Sequence, residues 1–123
     1  MKQIGTYYNI MPTAEGDKEA TILIYNYIGE MWNWDPEHGY KQVGTTDIGF
    51  VTELNELAQK FPLIHVRINS LGGEIFHGNA IVNAIKNCPA EVHTWNDGVA
   101  ASMAAIIWMA GKKRHMASNA LLM

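Results

Sequence analysis

A chain of 123 residues, 48% hydrophobic and 17% charged, has material for one core and reads as globular, not disordered. The formal net charge of -3 offers no broad basic field, which argues against charge-driven nucleic-acid binding. The single cysteine, Cys88, excludes an internal disulfide and a cysteine-based zinc site, and suits a reducing compartment.

Residues 1–20 are polar and glycine-containing and read as an N-terminal arm ahead of one domain over residues 21–123. No apolar stretch follows Lys2, so no secretory signal is expected, and the longest apolar run, Val99 to Gly111, is too short to span a bilayer. A cytoplasmic protein is the expectation. Thr21 to Ile28, TILIYNYI, is rich in β-branched and aromatic residues and predicts a strand. Residues 29–46 combine Gly, Pro and Asp with Trp32, Trp34 and Tyr40 without a period, which predicts an elaborated loop that could form a contact surface.

Phe50, Val51, Leu54, Leu57 and Ala58 recur at helical spacing, with Thr46 or Asp47 as cap and Pro62 as stop, so a helix is predicted over residues 47–60. In residues 63–69, Ile64, Val66 and Ile68 alternate with His65 and Arg67, the period of a strand with one buried face. Phe76, Ala80, Ile81, Ala84 and Ile85 form a second helical stripe that Pro89 ends. A short strand follows at residues 91–96. Residues 101–110 are apolar on nearly all sides, as in a buried helix, and Gly111 closes it. Lys112, Lys113 and Arg114 read as a solvated turn, and residues 120–123 as the start of a last strand. Strands alternating with helices predict an α/β layer architecture.

Two glycine-bearing loops each follow a strand and precede a helix, where open α/β sheets place their chemistry. In the first, Asn69 to Gly73, paired glycines let the backbone approach a bound chain and aim an N–H at an oxygen. No Gly-Lys-Ser/Thr follows, so it is not a phosphate loop, and taken alone it is equally a tight turn. In the second, Asp97 to Met103, Ser102 falls in the first turn of the buried helix, near the positive end of its dipole. Acyl transfer needs two N–H donors for the developing oxyanion, and losing one costs about a hundredfold or more in rate. Gly73 and Met103 are the candidate pair. On pattern alone Ser102 also fits a small polar residue in a helix packed closely through Ala100, Ala101, Ala104 and Ala105.

INSLGGEIF, then DGVAASMAA about thirty residues on, then MAGKKRHMASNALLM, resemble the ClpP-related serine peptidases, in particular the ClpP-like head maturation (prohead) proteases of tailed phages and prophages. The resemblance covers residues 21–123. It implies a ClpP/crotonase-like spiral of β-β-α units and homo-oligomeric rings; no cofactor and no metal are expected. It also implies serine endopeptidase activity on capsid or scaffold polypeptides, in the host cytoplasm or prohead interior. Ser102 takes the place of the nucleophile, with Gly73 and the Met103 N–H as oxyanion donors; Leu71 stands where the family usually has proline, with both glycines kept.

Family members continue past the segment matching NALLM to a catalytic histidine and a later aspartate, so the expectation is a C-terminally truncated, partial ClpP-like domain, inactive as it stands. A serine hydroxyl is almost wholly protonated at neutral pH and needs that base. None of His38, His65, His77, His93 and His115 falls at the family's histidine position. Asp35, Glu37 and His38 sit in a loop without a second cluster to complete a metal site. Two other readings remain at this stage. One is a non-catalytic ClpP-like assembly subunit that uses Trp32, Trp34 and Tyr40 as a contact patch. The other is a crotonase-like acyl-CoA binder using the same two N–H groups without Ser102.

Overall fold

The computed structural model describes residues 2–4, 8–10 and 18–123. Two short strands, β1 (Lys2–Ile4) and β2 (Tyr8–Ile10), pair antiparallel; the rest of the expected arm, up to residue 17, lies outside the described residues. The chain continues through β3 (Glu19–Ile24), β4 (Trp32–Asp35), β5 (Gly39–Gln42), α1 (Asp47–Ala58), β6 (Leu63–Ser70) and α2 (Ile75–Lys86). It then forms β7 (Glu91–Ala100), α3 (Met103–Met109), β8 (Lys113–Met116) and β9 (Leu121–Leu122).

The main sheet has the order β3-β6-β7-β8, with β9 also on β7, and every pairing in it is parallel. Parallel neighbours need crossovers, and these are right-handed in nearly all proteins. Because the strands add in sequence order, such crossovers put α1, α2 and α3 on one face. Burial agrees: Ile22, Ile24, Ile64, Val66 and Ile68 are fully buried and form a core with Phe50, Leu54, Ile81 and Ile107. Thr46 caps α1 by accepting the Gly49 N–H at 3.1 Å.

The opposite face carries a polar and aromatic layer where a doubly wound sheet would place more helices. Register sets His65 beside His93, and Arg67 beside Trp95, which pairs in turn with His115. The Arg67 guanidinium donates twice to the Asp97 carboxylate, at 2.9 and 2.7 Å, and lies 4.5 Å from the Trp95 ring centre. Trp95 stacks on His115 with centroids 3.9 Å apart, and its indole N–H donates to His65 Nδ1 at 3.0 Å. Tyr25 donates its hydroxyl hydrogen to Asp97 at 2.5 Å. Burial and that carboxylate push the Tyr25 phenol up from 10.0 to about 12. Burial, then the neighbouring His93 and His65, hold the His115 imidazole below its ordinary value.

The α/β architecture is as expected from the sequence, and four local expectations change. Residues 29–46 are not a loop throughout: β4 and β5 form an antiparallel hairpin with Trp34 opposite Tyr40, aromatic residues suited to such pairing. The first strand starts at Glu19 and ends at Ile24, because the Asn26 carbonyl turns aside to accept the Ser70 hydroxyl at 2.7 Å. The strand predicted over 91–96 runs on to Ala100; a register shift between Ile68 and Ser70 and the Asn69 side chain, which accepts the Val99 N–H at 3.2 Å, carry the pairing past Gly98. Lys113 and Arg114 lie in β8 instead of a turn, on a strand whose exposed charges suit a sheet edge.

Truncating the fully buried Ile64 to alanine is expected to lower the unfolding free energy by about 2–5 kcal/mol, while Ile48→Ala, at a residue 78% exposed, should change it by about 0.5 kcal/mol or less. Urea titration of both variants checks the contrast. Tyr25 keeps its proton in the folded chain between pH 10 and about 12 while the unfolded chain loses it, so stability should fall as pH rises through that window. Tyr25→Phe should flatten the alkaline slope in denaturation curves measured across that range.

Candidate functional site

β6 and β7 both deliver their loops at the C-terminal edge of the sheet, where parallel strands expose binding groups. Ser70 joins these loops. Its buried hydroxyl accepts the Gly72 N–H at 3.1 Å while donating to Asn26, and its carbonyl accepts the Ala101 N–H at 3.1 Å. The glycine loop is thereby tied to the segment after β3 on one side and to the end of β7 on the other.

The two glycines answer different demands. Gly72 has φ +103°, and a Cβ there would stand 2.7 Å from the Ala101 carbonyl oxygen and 2.9 Å from Ser102 Cβ. Gly73 packs against backbone: a Cβ would fall 1.9 Å from the Ile28 carbonyl oxygen. That closeness lets Ile28 donate to Gly72 O at 3.0 Å and accept from the Glu74 N–H at 2.7 Å.

Ser102 is exposed and has φ 54° and ψ −125°, the only non-glycine positive φ among the described residues. A conformation of this kind costs about 1–3 kcal/mol and persists only where surrounding bonds hold it. Here the Ser102 N–H donates to the Met123 carbonyl at 2.8 Å, and the Met123 N–H donates back to Ala100 at 3.0 Å. The sequence places Ser102 in the first turn of a helix; the structure corrects this to the N-cap position, one residue ahead of α3. The reason is β7, which runs to Ala100 and leaves too little chain for a gradual entry into the helix. Ser102 therefore sits on a sharp strand-to-helix turn, with Met103 as the first helical residue.

Among the described residues, the N–H groups of Gly73 and Met103 have no hydrogen-bond acceptor. Gly72, next to Gly73 in the chain, brings its Cα against Ser102 and Met103; a Cβ there would lie 3.1 Å from the Met103 nitrogen. The structure thus gathers Ser102, Gly73 and Met103 at one edge of the sheet. An exposed hydroxyl beside free N–H donors has the form needed for nucleophilic acyl chemistry.

Four of the histidines have polar partners of their own, and the fifth, His115, stacks on Trp95. His38 is 3.4 Å from Asp35 in the hairpin turn, and His77 accepts the Asp47 N–H at 3.1 Å. His65 is 2.7 Å from Glu19 and His93 is 2.5 Å from Glu91, both on the face away from the helices. None is hydrogen-bonded to Ser102. Burial raises the Cys88 thiol above its ordinary value, which keeps it protonated and a poor nucleophile. Among the described residues no group of three or more His, Cys, Asp or Glu side chains could hold a metal ion. Nor is any of their helices long and apolar enough to cross a membrane.

Trp32, Trp34 and Tyr40 share one face of the β4–β5 hairpin and are 57%, 63% and 74% exposed. Sequence reasoning missed the positioning residues: Asn26, Asn69, Ser70 and Asn96, whose buried amide donates to the Leu121 carbonyl at 2.9 Å and holds β9 in place. A signal was available in the Asn-Ser pair directly before two glycines, since short polar side chains fold back on nearby backbone at such turns.

A family model described as Clp protease matches residues 45–123. Among solved structures, ClpP1 from Listeria monocytogenes is 25% identical, with a TM-score of 0.66, over 84% of this chain and 54% of that one. Its N165D mutant is also 25% identical, with a TM-score of 0.65, over 83% and 53%. The chain spans about half the length of these structures.

Glycine adopts the Ser102 conformation without steric cost. Ser102→Gly should therefore be about 1 kcal/mol or more stable than Ser102→Ala, which keeps the strain, in paired chemical denaturation curves.

Proposed function

The chain belongs to the Clp protease family, and on that premise we propose that it carries the nucleophile and oxyanion hole of a serine endopeptidase. The observation that carries this reading is Ser102, held at positive φ on a strand-to-helix turn beside the free N–H groups of Gly73 and Met103. In this mechanism Ser102 Oγ attacks the carbonyl carbon of a peptide bond as its proton passes to a base. The carbonyl oxygen becomes an oxyanion that accepts from the Gly73 and Met103 N–H groups, each contributing on the order of a hundredfold in rate. The amine departs with a proton, leaving an acyl-serine that water then hydrolyses. The resemblance implies that a histidine serves as this base; none of the five histidines of this chain is hydrogen-bonded to Ser102.

The finer reading is a head-maturation type of peptidase acting on capsid or scaffold polypeptides in the host cytoplasm or prohead interior. It is supported by the run of motifs INSLGGEIF, DGVAASMAA and MAGKKRHMASNALLM. Residues 21–123 form the ClpP-like part of this proposed enzyme, and it works as a homo-oligomeric ring. Apolar side chains on and around the helices, Ile48, Ile75, Phe76 and Met109, are 78%, 65%, 86% and 57% exposed and support self-association.

A fluorophosphonate probe applied to the whole protein should label Ser102, and Ser102→Ala should abolish labelling while leaving the circular dichroism spectrum unchanged. Peptide cleavage should fall by about a thousandfold or more in the same variant. Labelling that survives Ser102→Ala, or a folded wild-type protein that takes no label, refutes the assignment.

A further inference from the structure

The Gly73 N–H is aimed by its neighbours. The Gly72 carbonyl and the Glu74 N–H both turn toward Ile28, at 3.0 and 2.7 Å, and successive backbone groups of an extended segment face opposite sides, so the Gly73 N–H between them faces away from Ile28. Where it stands therefore depends on where Ile28 stands. The ladder between β3 and β6 does not fix that, because it ends at Ile24.

What holds Ile28 is the chain between the hairpin and α1. Ile28 bridges Thr45 on one side and Gly73 on the other, parallel in both cases, so residues 43–45, 27–29 and 72–74 lie side by side with Ile28 in the middle. Thr45 and Ile28 are fully buried. The Thr45 N–H donates to the Tyr27 carbonyl at 2.7 Å, and the Thr45 carbonyl accepts the Gly29 N–H at 2.8 Å.

The Asn26 side chain adds two bonds across the same seam. Its Nδ2 donates to the Val43 carbonyl at 2.7 Å, and its Oδ1 accepts the Thr45 hydroxyl hydrogen at 2.7 Å. Only an amide serves both partners: a carboxylate has no hydrogen for the Val43 carbonyl, and alanine leaves the buried Thr45 hydroxyl without its acceptor. Since the Asn26 carbonyl also accepts from Ser70, one residue grips the glycine loop with its backbone and the hairpin exit with its side chain.

We propose that the Asn26 side chain and the Thr45 hydroxyl are a positioning pair for the oxyanion hole. By locking residues 43–45 against 27–29 they fix Ile28, and through Ile28 the Gly73 N–H. The proposal rests on the peptidase reading above and adds two residues that act on its chemistry without touching substrate. Misplacing a reacting group by about 1 Å costs on the order of a hundredfold in rate. The oxyanion forms only in the transition state, so the pair acts on kcat and leaves KM alone.

The test uses the whole protein, with fluorescein-labelled casein as substrate and a fluorophosphonate as probe of Ser102. Asn26→Asp and Thr45→Val should each lower kcat by about tenfold or more, with KM within about twofold of the parent, and slow labelling in step. Thr45→Ser, which keeps the hydroxyl, should recover kcat to within about threefold, and Asn26→Asp with Thr45→Val should cost no more than the worse single change, since the two share one bond. A raised KM at unchanged kcat, a Thr45→Ser as slow as Thr45→Val, or additive losses overturn the pair. Hydrogen exchange read by mass spectrometry needs no catalysis: both single variants should exchange faster at residues 72–74, with residues 63–68 unchanged. Thr45→Val removes one polar group at nearly constant shape, so it carries the test if Asn26→Asp does not fold. Unchanged exchange at residues 72–74 overturns the pair even if Ser102 labels fully. Faster exchange there in a protein whose parent takes no label removes the peptidase reading and leaves the hold of Asn26 and Thr45 on the glycine loop standing.

Discussion

The Ile28 backbone lies so close to the glycine loop that no side chain fits at Gly73. Much of the site's geometry follows from that contact. With Gly73 in place, Ile28 bonds the backbone on both sides of it, at Gly72 and Glu74, and clamps the loop against the segment that follows β3. The clamp leaves the Gly73 N–H without an acceptor among the described residues, while the backbone bonds on either side of it are made. That N–H lies on the loop that borders Ser102 at the edge of the sheet.

The strain at Ser102 depends on the same set of bonds seen from the other side. Ser70 fastens the glycine loop to Ala101, Ala100 accepts from Met123, and Met123 accepts from Ser102. β9 is only two residues long, yet it closes this ring of backbone bonds, with the buried Asn96 amide holding its carbonyl. An unfavourable φ persists there because several hydrogen bonds over-determine it. The two faces of the sheet divide the remaining labour. One is covered by three helices and supplies the core; the other is finished by a layer of histidine, tryptophan, arginine and carboxylate that partner one another.

Membership of the Clp protease family accounts for the parallel sheet and for the placing of both loops at its C-terminal edge. The hairpin formed by β4 and β5 precedes the matched residues, which begin at 45. It is rooted on the glycine loop through Glu30, whose N–H donates to the Glu74 carboxylate at 3.2 Å. A segment outside the matched region thereby borders the glycine loop.

Period and composition suffice to read much of this architecture in the chain itself. The alternation of Ile64, Val66 and Ile68 marks β6, the spacing of Phe50, Leu54 and Leu57 marks α1, and the motifs around Gly73 and Ser102 identify the residues to examine. These signals are local, carried by residues a few positions apart. The hairpin at residues 32–42, the extension of β7 to Ala100 and the strand at Lys113 are not legible in this way. Each is made by pairing with a distant strand or across a turn, and the pairing overrides weak local preference. The sequence by itself determined the α/β class, the order of the main elements and the candidate trio of Ser102, Gly73 and Met103. Only the tertiary structure decided that Ser102 stands ahead of α3 at positive φ and that Gly73 is pressed against Ile28, because both follow from hydrogen bonds between segments more than twenty residues apart.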